Sequence, residues 1–140
     1  MTTGADEPAT YSLERYPERL AVVRLGPGAD VPAWAESSSL FSVTATATET
    51  SVVCARRNVP KKMRHEGPFA AFAVAGPLDF ALTGVLVTLL QPLAEAEISV
   101  FTISTFDTDW ILVPFEKADA AAEEWRRRGH DVVLATPAQT

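Results

Sequence analysis

Short apolar runs alternate with strong turn signals along most of this chain. The runs are rich in β-branched residues and have strand length, and they end at glycine and proline or at short polar stretches. This pattern predicts seven strands, over residues 20–25, 41–47, 51–55, 69–75, 98–106, 110–113 and 131–135.

Three segments have helical patterns. Residues 115–128 form a clear amphipathic repeat that ends at Gly129, a residue suited to close a helix. Residues 83–97 are apolar enough for a helix buried on most sides, and Pro92 should kink that helix or end its first part. A short helix is predicted over residues 31–36, with proline at a plausible first helical position.

The order of these elements is strand, short helix, strand, strand, followed by strand, helix, strand, strand, helix, strand. The second series is the split βαβ or ferredoxin-like arrangement (βαββαβ), in which right-handed crossovers place both helices on one face of an antiparallel sheet. The sequence therefore predicts an α+β fold with two repeats, the first one truncated. The expected organisation is a disordered tail over 1–12, a first repeat over 13–64, a second repeat over 65–135 and a second tail over 136–140.

Composition favours a globular chain and excludes several classes of function. Hydrophobic residues make up 47% of the 140 residues, enough for a substantial core, and the formal net charge of −6 disfavours binding to nucleic-acid phosphates. The apolar stretches are too short to span a bilayer, the amino terminus lacks a secretion-signal pattern, and Cys54 is the single cysteine. We therefore expect a cytoplasmic protein that binds neither membranes nor nucleic acid.

The chain lacks a recognisable catalytic or metal-binding motif. His65 and His130 have no neighbouring nucleophile of the kind used in catalytic triads, and Cys54 lies in an apolar strand where an inert buried thiol is expected. No cysteine and histidine cluster suits zinc, and no glycine-rich phosphate loop with a lysine is present. The sequence predicts no catalytic residue, no metal, no cofactor and no enzymatic activity.

One cluster of basic residues has two interpretations. It lies between two predicted strands, and the nearby Pro60 and Gly67 indicate that this segment is a loop. It can be a solvated connector or a docking surface for an acidic partner. The cluster consists of Arg56, Arg57, Lys61, Lys62 and Arg64.

The segment over residues 76–109 has the chemistry of a small zwitterion pocket. A turn with an acid and a glycine opens a helix, whose first N–H groups and dipole suit a carboxylate. Thr83, Gly84 and Val85 would supply those N–H groups, and Asp79 is the best-placed acid for an ammonium. In the following strand and turn, Asp107 and Asp109 are alternative acids, and Ser104 and Thr105 can add neutral contacts.

Each of these residues also has a purely structural interpretation. Asp79 or Thr83 can cap the helix, and Gly84 can permit close helix–sheet packing. Asp107 and Asp109 can be ordinary hairpin-turn residues, and Ser104 and Thr105 can be ordinary strand residues.

Two segments together resemble a known family. Residues 76–86 (Gly-Pro-Leu-Asp-Phe-Ala-Leu-Thr-Gly-Val-Leu) and 98–113 (Ile-Ser-Val-Phe-Thr-Ile-Ser-Thr-Phe-Asp-Thr-Asp-Trp-Ile-Leu-Val) resemble the tandem ACT domains of the CASTOR-type family. Residues 41–44 and 51–54 resemble the matching part of its first repeat, and the resemblance covers roughly residues 13–130. Small stand-alone bacterial versions of the family are most similar in size.

The resemblance implies a non-catalytic regulatory module with an ACT fold. Such domains bind amino acids at domain interfaces, usually in dimers or tandem pairs, so we expect a homodimer and a possible protein partner. The ligand contacts that it implies, together with those argued above, are Asp79, Phe80, Leu82, Thr83, Gly84, Val85, Ser104, Thr105, Asp107, Thr108 and Asp109 in the second repeat, and Ser42, Val43 and Thr44 in the first.

Two hypotheses about function follow. The first is an amino-acid sensor that acts through protein contacts. The second is a protein-interaction or dimerisation module that binds no ligand, which Ala45 and Thr48 favour because they depart from the family pattern.

Overall fold

The computed structural model describes residues 9–76, 78 and 83–136. Within this part of the chain there are seven strands: β1 (Ser12–Leu25), β2 (Ser42–Ala45), β3 (Thr50–Ala55), β4 (His65–Val74), β5 (Phe101–Ser104), β6 (Asp109–Pro114) and β7 (Asp131–Leu134). The helices are α1 (Val85–Glu95) and α2 (Ala118–Arg127). Short 3₁₀ turns lie at Ala33–Ala35, Arg56–Asn58 and Phe115–Lys117.

All seven strands join one sheet in the order β2-β3-β1-β4-β6-β5, with β7 paired to β1. Every pairing is antiparallel except that of β7 with β1, which is parallel. The fold is therefore α+β with a mainly antiparallel sheet, consistent with an ACT or ferredoxin-like arrangement. The strands of both predicted repeats therefore share one continuous sheet.

Strand β1 unites the two halves of the molecule. Its first part, from Ser12 to Tyr16, lies between β7 and β4, and its second part, from Leu20 to Leu25, pairs with β3. In a self-contained βαββαβ unit, β7 would lie next to β4; here β1 occupies that position. β1 belongs to the first predicted repeat, yet it pairs with β4 and β7 of the second. The boundary that the sequence suggested near residue 64 therefore does not separate two independent sheets.

The early start of β1 corrects the sequence prediction, which began this strand at residue 20 and placed residues 1–12 in a tail. Pro17 interrupts the apolar pattern, but it lies where the pairing with β4 shifts register between Tyr16 and Leu20, and a bulge tolerates a residue without an N–H. Tyr11 is also fixed, because its N–H donates to His130 Nδ1 over 3.0 Å. Residues 1–8 lie outside the described part of the chain.

Both helices pack on one face of the sheet, as predicted. Phe72 of β4 and Ile111 of β6 point into this core, where Trp125 of α2 meets the Phe72 ring edge-on at 4.8 Å between centroids. The Trp125 indole N–H donates to the backbone oxygen of Leu89 in α1 over 2.8 Å. That bond joins the two helices in the buried interior.

Helix α1 continues through Pro92 to Glu95, so of the two predicted effects of this proline, a kink or an end to the first part of the helix, the end does not occur. Pro92 has no N–H to offer the carbonyl one turn earlier, which should weaken the helix locally. Pro92 itself is buried, and the Trp125 indole donates to the carbonyl of Leu89, three residues before it. Tertiary packing therefore holds the helix together across the proline.

The opposite face of the sheet encloses a second core. Leu20 and Val53 from one half of the sheet pack with Ala71 and Leu112 from the other. Strands β2 and β5 lie at the two ends of the main strand order, yet residues of both line one cleft. The sheet therefore coils until its two ends face each other.

Several element boundaries differ from the sequence prediction. The short helix expected over 31–36 is a 3₁₀ turn at Ala33–Ala35, and the helix expected from residue 115 begins with a 3₁₀ turn. The strand expected over 98–106 is shorter, and β4 starts four residues earlier than predicted, at His65. Tight turns and the Gly67–Pro68 pair obscure these boundaries in the apolar pattern.

Candidate functional site

The β5–β6 hairpin turn is held by its own threonines. The Thr105 N–H donates to the Thr108 carbonyl over 2.8 Å, and the Thr105 hydroxyl donates to the same oxygen over 3.1 Å. The Thr108 N–H in turn donates to the Thr105 hydroxyl over 3.3 Å. This local network fixes the turn without relying on tertiary packing.

Further contacts fasten this turn to the sheet and to the segment that precedes α1. The Thr108 hydroxyl donates to the Val74 carbonyl at the end of β4 over 2.6 Å, and the Leu78 N–H donates to the Asp107 carbonyl over 2.8 Å. Gly76 permits this approach, because a Cβ there would lie 2.9 Å from the Leu78 nitrogen and 3.2 Å from the Asp107 oxygen. The turn and the chain leaving β4 therefore form one framework.

Helix α1 begins beside this turn, at Gly84. Gly84 has a φ of 80°, in the left-handed region that favours glycine, and its carbonyl accepts the N–H of Thr88 over 3.0 Å. Among the described residues no side chain caps this helix start, and its first turn contains no acidic residue. The first N–H groups of the helix, which have no acceptor within the helix, therefore keep their positive field.

A cavity of about 300 Å³ separates the helix start from the hairpin turn. Most of the residues predicted for the second repeat line it, together with three apolar residues. The lining consists of Leu78, Gly84, Val85, Leu86, Ser104, Thr105, Phe106, Asp107, Thr108 and Asp109. We call this space the helix-start cavity.

The two walls of the helix-start cavity have opposite polarity. One wall is formed by Gly84 and Val85 at the start of α1, the positive end of the helix, and the hairpin wall includes the acidic residues Asp107 and Asp109. The Ser104 hydroxyl donates to Asp109 Oδ1 over 2.6 Å, which orients that carboxylate. Such a space can take a small molecule that is anionic at one end and cationic at the other.

The other residues predicted for the second repeat are not among the described residues that line the helix-start cavity. Thr83 is exposed and does not line the cavity, while Asp79, Phe80 and Leu82 lie outside the described residues. The apolar lining residues Leu78, Leu86 and Phe106 were not among the predicted contacts. Their only signal in the sequence was that each is the immediate neighbour of a predicted contact.

The first-repeat candidates do not join the helix-start cavity. Ser42 and Thr44 line a separate cleft of about 290 Å³ between β2, β3 and β5, to which Ser104 also contributes. Val43, whose neighbours Ser42 and Thr44 alternate with it along β2, packs instead among the apolar residues around Ala21 and Val23. Val43 lines neither cavity, and its predicted ligand contact stays a prediction.

The turn between β2 and β3 repeats the hydrogen bonds of the β5–β6 turn. The Thr46 N–H donates to the Glu49 carbonyl over 2.8 Å, and the Glu49 N–H donates to the Thr46 hydroxyl over 3.1 Å. Thr105 and Thr108 make the same two bonds in the β5–β6 turn. The two turns therefore have the same construction.

Two of the remaining reactive groups are buried in their uncharged forms. Burial, with a smaller contribution from Glu18, raises the pKa of the Cys54 thiol to about 11, so this thiol is protonated at neutral pH. Burial, and secondarily the nearby Arg128 charge, lowers the pKa of His130 below its ordinary value. The His130 Nδ1 atom accepts the Tyr11 N–H, which requires that nitrogen to be unprotonated.

The described part of the chain has neither a metal-binding cluster nor a helix that could span a membrane. No group of three or more histidine, cysteine, aspartate or glutamate side chains there is arranged to hold a metal ion. Within the same residues, neither helix has the length and apolar character needed to cross a bilayer.

Comparison with known proteins adds a family match and several similar structures. Residues 64–123 match the family model of the ACT domain. Residues 18–62 match a different family model, which describes an N-terminal domain. No curated protein sequence matches the chain.

Similar solved structures cover nearly the whole chain. A protein from Agobacterium tumefaciens is 28% identical with a TM-score of 0.85, over 95% of this chain and 99% of that one. A protein of unknown function from Vibrio cholerae, described as a possible transport protein, is 17% identical with a TM-score of 0.70, over 85% and 90% of the two chains.

A third similar structure is the regulatory subunit of aspartate kinase from Thermus flavus. It is 10% identical with a TM-score of 0.60, over 87% of this chain and 99% of that one, a level of identity that indicates a shared fold. The chain thus carries an ACT-domain match over residues 64–123 and shares its overall fold with a regulatory subunit of aspartate kinase.

Proposed function

We propose that this chain is an amino-acid-binding regulatory module of the tandem ACT type, similar to the CASTOR-type family, and that its ligand occupies the helix-start cavity. The observation that carries the proposal is the opposite polarity of the two cavity walls. An amino acid carries a carboxylate and an ammonium on the same carbon atom, so it requires this arrangement at short range.

The ligand's carboxylate would lie at the start of α1. There the first N–H groups, which have no acceptor within the helix, and the helix dipole both favour an anion, and Gly84 lets the ligand approach the backbone because it carries no side chain. The ammonium would face Asp109, with Asp107 as the second acid. The side chain would contact Leu78, Leu86 and Phe106, which supply an apolar surface beside the charged groups.

The size of the cavity supports a small ligand. Its volume of about 300 Å³ lies at the lower end of the range typical of small-molecule sites, roughly 300–1,000 Å³. All residues that line it fall within the segment that matches the ACT domain. The shared fold with the Thermus flavus regulatory subunit adds support for a regulatory role without catalysis.

The regulatory output would pass through protein contacts. The ligand would join the α1 start to the hairpin turn, and Thr108 connects that turn to β4 in the centre of the sheet. We propose a cytoplasmic homodimer in which exposed strand edges pair side by side, a common route to symmetric dimers. A further protein partner would read the ligand-bound state.

A thermal-shift screen with the twenty amino acids, followed by calorimetric titration of each hit, tests the proposal. A ligand at a hundred times its dissociation constant should add about 2.7 kcal/mol to the free energy of unfolding. The substitution Asp109→Asn keeps an acceptor for the Ser104 hydroxyl and removes the charge that would face the ammonium. It should weaken binding at least about tenfold.

Asp30→Asn is the matched control, because it removes one exposed carboxylate that does not line the cavity. It should leave the affinity unchanged within about twofold. If none of the twenty amino acids raises the melting temperature, or if both substitutions weaken binding equally, the proposed ligand site is wrong.

A ligand-free interaction module is the second candidate, and one observation favours it. Strand β7 lies beside β1 at an edge of the sheet, and its Val133 and Leu134 side chains are 47% and 71% exposed. An apolar edge of this kind suits pairing with another chain. If Leu134→Glu abolishes dimers in light scattering while no amino acid changes their stability, this candidate replaces the sensor.

A further inference from the structure

A second and larger cavity, of about 700 Å³, lies away from the helix-start cavity and shares no residue with it. It forms where the bulge of β1, the turn after β3 and the first residue of β4 meet. Its lining is strongly basic and consists of Pro17, Glu18, Arg19, Arg56, Arg57, Val59, Lys61 and His65. We call it the basic cavity.

The loop that forms one wall of the basic cavity is held by hydrogen bonds. The Val59 N–H donates to the Arg56 carbonyl over 3.1 Å, and the Met63 N–H donates to the Pro60 carbonyl over 2.9 Å. The His65 ring nitrogen Nδ1 lies 2.9 Å from the Met63 carbonyl, to which it can donate. Val59 and Met63 also pack against buried residues of β1 and β3, so this loop is more than a solvated connector.

The acidic residue among those that line the basic cavity, Glu18, already has partners for its carboxylate. Glu18 accepts a hydrogen bond from the Ser39 N–H over 2.6 Å and pairs with Arg57 over 2.8 Å. Arg57 also lies 3.3 Å from the Ser37 carbonyl, to which it donates. Glu18 and Arg57 therefore compensate each other and help to fix the cavity wall.

Three cations of the basic cavity remain available for a ligand. Arg19 lines both the basic cavity and a neighbouring cavity, where its guanidinium lies 4.2 Å from the centre of the Phe115 ring, and it forms no ion pair with any described residue. Arg56 and Lys61 are exposed and form no ion pair with any described residue. Such a concentration of positive charge stands out in a chain whose formal net charge is −6.

We propose that the basic cavity binds a small organic polyanion that carries phosphate groups. Two guanidinium groups supply planar sets of N–H donors that match phosphate oxygens in pairs, and the Lys61 ammonium adds a compact positive charge. The volume is within the range of sites for metabolite-sized ligands, and Pro17 and Val59 give an apolar surface for the organic part. The chain would then have two ligand sites of different chemistry.

Pyrophosphate is the probe for this site, titrated by calorimetry into the full chain in buffer of constant ionic strength. The double substitution Arg56→Ala and Lys61→Ala should weaken its binding at least about tenfold, because it removes two charged donors. Both side chains are exposed, so the fold should be retained, which circular dichroism melting checks.

Lys62→Ala with Arg64→Ala is the matched control, because it removes the same charge from the same loop at residues that do not line the cavity. It should change the affinity less than about twofold. Equal weakening by the two double variants, or no pyrophosphate binding at millimolar concentration, would overturn the proposal. A hexaglutamate peptide that binds where pyrophosphate does not would also overturn it, and would assign the surface to an acidic protein segment.

Discussion

Replacing Gly84 or Gly28 by alanine separates the conformational role of a glycine from its role in the helix-start cavity. Both glycines have left-handed backbones, with φ of 80° and 74°, and a Cβ at either would meet no described heavy atom within 4 Å. Alanine in this conformation costs about 1–2 kcal/mol, and the lower entropy of the unfolded chain returns roughly 0.4–1 kcal/mol. Each substitution should therefore lower the free energy of unfolding by about 1 kcal/mol.

For a chain of this size, that loss corresponds to a drop of roughly 3–4 °C in melting temperature. Urea unfolding of both variants, followed by tryptophan fluorescence, gives the free energies directly. The two variants should have equal stability without ligand, since neither added methyl group clashes with the described structure.

The two variants should differ once an amino acid identified in the screen is added. Only Gly84 lines the cavity, and the added methyl group would occupy the space that the ligand's carboxylate needs. If the dissociation constant rises a hundredfold, the stabilisation at a fixed ligand concentration falls from about 2.7 to about 0.4 kcal/mol. Gly28→Ala should retain the full stabilisation.

Three results would refute this reasoning. A much larger loss of stability in Gly84→Ala than in Gly28→Ala would mean that the space above Gly84 is filled. Full ligand-induced stabilisation of Gly84→Ala would move the carboxylate away from the helix start. An equal loss of ligand response in both variants would show that the effect comes from the backbone alone.

Two further predictions concern buried polar groups. The pKa of His130 lies below 6.5 in the folded chain, so the unfolded chain binds this proton first as the pH falls, and the free energy of unfolding should decrease from about pH 6.5 towards the folded-state pKa. His130→Asn, which keeps an acceptor for the Tyr11 N–H, should remove this component when urea unfolding at about pH 7.5 and 5 is compared with the parent chain; an unchanged pH dependence would contradict the assignment. Thr50 is 1% exposed and its hydroxyl has no hydrogen-bond partner in the described structure, so Thr50→Val should stabilise the fold by about 1 kcal/mol in the same assay. Thr50→Ser, which keeps the hydroxyl and loses a methyl group, should destabilise the fold. A Val variant less stable than the parent chain would mean that the hydroxyl is satisfied.

Local patterns were sufficient to predict the elements whose residues decide their own conformation. The amphipathic period from Phe115 to Arg128 predicted α2, and the polar residues from Asp107 to Asp109 predicted the β5–β6 turn. The same reasoning predicted most of the residues that line the helix-start cavity, because they lie at the start of α1 and in the turn between β5 and β6.

Features that depend on contacts between residues far apart in the sequence could not be predicted from local patterns. The first part of β1 contains Glu14 and Arg15 and is followed by Pro17, and only its position between β4 and β7 makes it a strand. The packing of Trp125 against α1 carries the helix through Pro92, and no local pattern reports that contact. For the same reason, the cleft lined by Ser42 and Ser104 appears only when the sheet coils.

The pairing of β1 with β7 has a consequence for how the chain is made on the ribosome. Tyr11 and His130 are 119 residues apart, and at roughly 5–20 residues per second the first of them waits on the order of 6–24 s for the second. During that interval the first part of β1 can pair with β4 on one side, while its other edge stays open. The polar residues that hid this strand from the apolar pattern, Glu14 and Arg15, would then protect a nascent chain from premature aggregation.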